Sequence, residues 1–288
     1  MGKYFAIAQG FEEDVANAVR DHYLPTGLLS PVPKKPLSYA LSITDKLDSL
    51  VGFFAINEKP TSSKDPFALR RTAIGLLRTI IENNLNIKLK DLISYSIRLY
   101  IDQGATIENK NIEKEILDFF KERMRNILKE KKIKIDIIEA SISAHLGDNY
   151  LDLCKKSIIM NKNFTKDVGK DALYSYKRAS SILDQEIKKT SKEITGRPDA
   201  VLFRKDEEKF LFEKINEIRK SFTIKEDSKN YEDLLNQLAS VRPLIDQFFD
   251  NVVVNDENQD IKNNRLELLL MFCKAFNNFL DFSKLEGA

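Results

Sequence analysis

The sequence has little histidine, little cysteine and no long apolar run, and each shortage excludes something. With two histidines in 288 residues, no nucleophile stands with a nearby histidine base, and no His and Cys spacing builds a zinc site. The two cysteines, Cys154 and Cys273, each fall in an apolar helical context, which marks them as core thiols of a reducing cytoplasm. No apolar stretch approaches the ~20 residues that cross a bilayer, and the start lacks a signal-peptide pattern. A cytoplasmic chain without a membrane partner is expected. The ten glycines form no phosphate-cradling loop. No catalytic residue is expected in the chain.

What is present is helical periodicity. Hydrophobic residues at 42% and charged residues at 31% suit a folded chain, and the length allows about two domains. Residues 4–24 read as one helix with Val15, Ala18, Val19 and Tyr23 on its inner side. A connector with Pro31, Pro33 and Pro36 follows, extended because each proline restricts the residue before it. The next helix places Leu37, Ala40, Leu41, Thr44, Leu47, Val51 and Phe54 on one face, with Ser42, Asp45 and Ser49 opposite. Asp65 suits an N-cap and Pro66 the first helical position of a further helix. Shorter helical blocks run over 89–101, 112–127, 135–142 and 151–159. Longer ones cover 171–187, 210–222, 231–238 and 242–252, and 265–282 is apolar nearly all round, as a central bundle helix would be. The expected class is all-α.

The helix after Asp65 carries a narrow stripe of Arg71, Gly75, Arg78 and Glu82. Two readings are open. Two arginines about a residue without a side chain could grip a phosphate backbone that approaches closely. Alternatively, Gly75 marks a tight helix crossing and the arginines are solvated or paired with carboxylates. Charge favours the first only locally: residues 34–90 hold ten Lys or Arg against five Asp or Glu, whereas residues 170–288 hold twenty against twenty-two.

The stretch ITDKLDSLVGFFAINEKPTSSKDPFALRR resembles the signature region of the β subunit of bacterial heterotetrameric glycyl-tRNA synthetase. Asp45-Lys46-Leu47-Asp48, Lys59-Pro60-Thr61 and Ser63 through Arg71 match that pattern, with Ser62 where the family has glycine. Met1 through Ala6, Tyr176-Lys177-Arg178-Ala179, Arg242-Pro243, Phe248 through Val252 and Asn264-Arg265-Leu266 agree in the same order. In that family the opening motif lies inside a longer polypeptide, so the chain is expected to be a C-terminal portion, or a split-off form, of a larger β subunit.

The resemblance implies three regions: an incomplete HD-like helical segment over 1–62, a helical middle over 63–169, and a DALR-type anticodon-binding bundle over 170–288. HD phosphohydrolases hold metal through several histidines and aspartates. Here only His22 and His145 are present, without a His-Asp doublet, and Asp45 has too few partners, so no metal site is expected. Asp45 and Asp48 are read instead as carboxylates pairing with Lys or Arg. In the family the α subunit uses glycine and ATP to form the adenylate, so ATP and magnesium are expected there and no cofactor here. The implied partners are glycine tRNA and the α subunit in an α2β2 assembly, not DNA. The chain is thus expected to be a tRNA-positioning part of glycine-tRNA ligase without its own catalytic site. Candidate tRNA contacts are Lys64, Arg70, Arg71, Arg78, Lys177, Arg178 and Arg242; the alternative for Arg178 is a brace to a carboxylate such as Asp250. Two other classes stay open: a helical scaffold for the α subunit, and a degenerate HD-type phosphohydrolase.

Overall fold

The computed structural model describes residues 1–27, 30–144, 149–223 and 230–286; His145 lies outside them. Among the described residues the chain is helical without strands. It forms two compact units, one of Met1–Lys132 with Leu146–Cys154, the other of Ile133–His145 with Lys155–Ala288.

In the first unit the single helix expected over 4–24 is two helices, α1 (Gly2–Ala8) and α2 (Glu13–Asp21). Gly10 at φ +81° turns the chain between them, a conformation that glycine adopts without a Cβ penalty. Tyr23, expected on the inner side, sits in the turn after α2 and is 68% exposed.

α3 (Pro36–Ala55) corrects the sequence reading more sharply. Pro36 belongs to the helix rather than to the connector, at the first position, where a missing amide costs nothing. The buried stripe includes Ser38, Ser42 and Lys46, while Leu37 and Leu41 are exposed. The reason is the turn after α2, whose carbonyls need donors. Ser42 donates to Leu24 O at 2.7 Å, and the Lys46 ammonium donates to His22 O at 3.0 Å, Leu24 O at 2.8 Å and Ser42 Oγ at 2.9 Å. All three ammonium hydrogens are thereby matched, as a buried cation requires. Burial pushes the Lys46 pKa down, with Asp45 opposing. Asp45 and Asp48 are exposed and form no ion pair among the described residues, contrary to expectation.

α4 (Leu69–Glu82) packs on α3 through Leu69, Ala73, Leu76, Leu77 and Ile80. It starts one turn later than Asp65-Pro66 predicts, after a turn at Pro66-Phe67 and a left-handed Ala68. Asp65 still caps it, accepting from the amides of Leu69 at 2.9 Å and Arg70 at 3.1 Å. α5 (Leu89–Asp102) and α6 (Ile112–Glu130) complete this core, with Leu89, Ile93, Ile116, Phe120 and Met124 buried.

The second unit contains α7 (Ile135–Ala144), most of α8 (Tyr150–Asn163), α9 (Asp167–Thr190), α10 (Asp206–Ser221), α11 (Tyr231–Ala239), α12 (Arg242–Asn251) and α13 (Gln259–Asn277). α13 is central, as its all-round apolar pattern predicts: α9 and α10 both pack on it. Phe272 and Phe276 meet at 4.7 Å, and Tyr176 of α9 and Phe282 join them at 5.5 to 6.0 Å and 5.2 Å from their neighbours. Burial pushes the Tyr176 phenol and the Cys273 thiol up to about 12, so both stay protonated core groups.

Two polar residues fasten loops to α13. Asn264 exchanges hydrogen bonds with the backbone of Asp199, accepting at 2.6 Å and donating at 3.0 Å. Arg265 donates to Glu208 at 2.9 Å, Asp256 at 2.7 Å and Val253 O at 2.9 Å. Glu208 also accepts from the amides of Arg204 and Lys205, both at 2.8 Å, at the start of α10. Burial opposes the Arg265 charge, and Glu208 and then Asp256 more than offset it, leaving the guanidinium pKa raised.

Candidate nucleic-acid interface

The loop from Lys59 to Ala68 bonds largely to itself. Thr61 and Lys64 exchange backbone and hydroxyl bonds, Phe67 stacks on Phe53 of α3 at 4.0 Å, and Lys59 reaches Glu115 of α6 at 2.7 Å. Arg70 belongs to this arrangement: it donates to Thr61 O and Lys64 O and lies 3.8 Å from Asp65. The most recognisable motif of the sequence is therefore chiefly a folded loop and helix cap.

Beside it, Pro25, Gly27, Ala68, Ile74 and Gly75 line a groove of about 420 Å³ together with Asp65, Arg70, Arg71 and Arg78. Three guanidinium groups against one carboxylate give it positive character. A Cβ at Gly75 would stand 3.1 Å from Lys46 Cε and 3.4 Å from Pro25 Cγ, so the glycine makes room for the crossing of α3 and the turn beneath it. Gly75 thus marks a tight crossing, and the groove lies above it.

The arginines differ in what they are free to do. Arg78 donates to Gly27 O at 2.8 Å, Ser30 O at 2.9 Å and Glu82 at 2.8 Å, and its side chain is 14% exposed. It holds the groove wall in place and has few donors left for a ligand. Arg71 and Lys64 are exposed, and their side chains form no hydrogen bond or ion pair among the described residues. Replacing Arg78 with alanine is expected to destabilise the first unit by about 2–4 kcal/mol, since charged donors to part-buried carbonyls contribute about 1.5–3 kcal/mol each and do not add fully. Arg71→Ala should stay within about 0.5 kcal/mol of the parent. Urea midpoints of the two variants test this; equal midpoints would contradict the division of roles.

Arg123, on α6, is a residue the sequence reading missed. Its guanidinium lies over Phe119 at 4.5 Å, and Nε and Nη1 are buried without a hydrogen-bond partner among the described residues. Burial and the nearby Arg70 lower its pKa. The i, i+4 pairing with Phe119 was the only sequence signal available.

In the second unit, Arg178 pairs with Asp246, reaches Asp250 at 3.5 Å and lies over Phe249 at 4.9 Å. It joins α9 to α12, the brace considered as its alternative. Arg242 pairs with Asp171, lies 3.9 Å from Asp246 and covers the Tyr174 ring at 4.6 Å; Asp171 holds its pKa up. Both guanidinium groups are thus engaged by carboxylates. Lys177 is exposed, and its side chain has no partner among the described residues.

No three metal-ligating side chains converge among the described residues. His22 directs Nδ1 to Val19 O at 2.8 Å and its ring lies tilted against that of Tyr23 at 4.0 Å, while Asp45 is exposed on α3. No described helix is long and apolar enough to cross a membrane.

Comparison with known proteins agrees with this architecture. The family model for the glycyl-tRNA synthetase β subunit matches residues 1–143, and that for the DALR anticodon-binding domain matches residues 172–286. The glycine–tRNA ligase β subunits of Rickettsia africae and Rickettsia conorii are each 41% identical over 285 residues, covering 99% of this chain and 40% of the relative. That of Rickettsia prowazekii is 39% identical over 287 residues with the same coverage. The chain thus spans about 40% of the length of these relatives. With its α9 to α13 bundle in the DALR region and the KPTSSKDPFALRR loop capping α4, the chain belongs to the glycyl-tRNA synthetase β-subunit family.

Proposed function

We propose that the chain is a tRNA-binding part of glycine-tRNA ligase, holding glycine tRNA for aminoacylation by a catalytic α subunit. The observation that carries this reading is the match of residues 172–286 to the DALR anticodon-binding domain. The arginine groove adds to it, because Arg71 and Lys64 offer unpaired positive charge beside a preformed cavity. In this reading the chain contributes positioning: phosphate contacts fix register, and base contacts select the tRNA. Lys64, Arg71 and Lys177 are the phosphate ligands; Arg70, Arg78, Arg178 and Arg242 shape the surfaces. ATP and magnesium act at the α subunit, and the protein works in the cytoplasm within an α2β2 assembly.

A second reading, docking of the α subunit, is favoured by α5, whose Tyr95, Leu99 and Ile101 are exposed. The two are separated by a salt titration of binding to glycine tRNA, with a non-cognate tRNA alongside. Selective binding should fall steeply with salt, and Arg71→Ala with Lys177→Ala should lower the log–log slope by about 1.5, near 0.7–0.9 for each phosphate no longer neutralised. Absence of binding at low salt would sink the tRNA reading and leave α-subunit docking as the better account.

A further inference from the structure

Most aromatic rings of the second unit are in its core, Tyr176, Phe248, Phe272, Phe276 and Phe282 among them. Among its described residues two rings stand out as exposed: Tyr174, at 43%, and Phe210. Their surroundings differ. On a helix, residues three and four apart are surface neighbours. At these distances Phe210 has Asp206, Glu207 and Glu213, and the cation there, Lys214, is paired with Glu217 at 2.9 Å. Such a site repels a phosphate backbone. Tyr174 instead has Lys170 four residues before it and Lys177 three after, both exposed and with side chains unpartnered among the described residues.

The ring is also fixed in place. Arg242 lies over one of its faces at 4.6 Å and is itself held by Asp171, and Arg178 approaches the Tyr174 hydroxyl at 3.4 Å. One face is covered by a guanidinium that its carboxylate restrains, so the exposure belongs to the other face and the ring edge. Asp171, Asp246 and Asp250 are already engaged by the two arginines, which mutes their repulsion of an incoming phosphate.

We propose that Tyr174 is a stacking platform for an unpaired nucleobase of bound RNA, with Lys170 and Lys177 holding the phosphates on either side of that base. At 1.5 Å rise per residue the lysines lie about 6 Å before and about 4.5 Å beyond the ring along the α9 axis. A planar π-face tolerates any base, and flanking cations fix the strand without reading it. The inference rests on the RNA-binding reading above and assigns that function a specific contact.

The test uses the full chain and a hairpin RNA with the glycine anticodon loop, carrying 2-aminopurine at successive loop positions. Stacking on Tyr174 should quench the fluorophore at one position. Tyr174→Leu should lose that quenching at saturating RNA and bind about 5- to 150-fold more weakly. Tyr174→Phe should retain both properties within about 2-fold, since the ring stacks without its hydroxyl. Lys170→Ala should lower the salt dependence and keep the quenching. Thermal melts confirm that each variant is folded, and Phe210→Leu serves as the exposed-ring control and should change neither property. Wild-type binding with quenching that survives in Tyr174→Leu, or that never appears, overturns the platform and leaves RNA binding intact. Failure of the wild-type chain to bind the hairpin at low salt overturns both.

Discussion

Substituting methionine for Arg265 is expected to destabilise the second unit by about 3–5 kcal/mol, the cost of removing one partner from a buried ion pair. Arg265 and Glu208 are 4% and 0% exposed, so the remaining carboxylate would stand in the core without its counter-charge. Its two bonds from the amides of Arg204 and Lys205 soften this effect and do not replace the cation. At about 2–4 °C per kcal/mol for a domain of this size, the melting temperature should fall by roughly 6–20 °C. Replacing Glu208 by methionine in the same chain should restore much of that stability, because an apolar pair of similar volume can match a buried ion pair. A double variant no more stable than Arg265→Met would show that the loop contacts to Val253 and Asp256 matter more than the pair itself.

The second large effect is expected at Gly169, near the start of α9. A Cβ there would come 2.3 Å from Asn163 O and 2.8 Å from Phe164 Cα, and both are backbone atoms that cannot move aside as a side chain does. Gly169→Ala should therefore reach or exceed the ~3 kcal/mol upper end of ordinary overpacking. Because α9 carries Tyr174, Lys177 and Arg178, a variant that still folds should also show altered contacts of α9 with α12. Chemical denaturation measures the first effect, and the environment of Phe249 under Arg178 reports the second. A cost below about 1 kcal/mol would mean that the α8–α9 junction relaxes freely.

Much of the fold was readable in the residues because helix burial follows a 3.6-residue period that core side chains declare. α6, α9, α11 and α13 follow their apolar spacing closely. The pattern failed where a polar group was buried for its partners rather than for its polarity. Ser42 and Lys46 look solvent-facing on a hydropathy wheel, yet they satisfy the carbonyls of His22 and Leu24, which lie far back in the sequence. Asp65 shows a milder failure: its capping role was legible, but the extra turn at Pro66-Phe67, with Phe67 stacked on Phe53, was not. At Gly10 a glycine within an apolar helical pattern gave no sign by itself that its φ would be positive.

Residue pattern alone carried the all-helical class, the family to which the chain belongs and most of the cations from which an RNA surface would be drawn. Which of those cations already have partners is a matter of tertiary packing. Arg78 bonds to Ser30 O 48 residues away, Arg178 to Asp246 68 residues away and Arg242 to Asp171 71 residues away, whereas Arg71, Lys64 and Lys177 have no such partner among the described residues. A guanidinium satisfied by a distant carbonyl or carboxylate and one left to solvent have the same identity and the same local helical context. Their difference lies in long-range packing, which brings the acceptors of the first to it and leaves the second facing water.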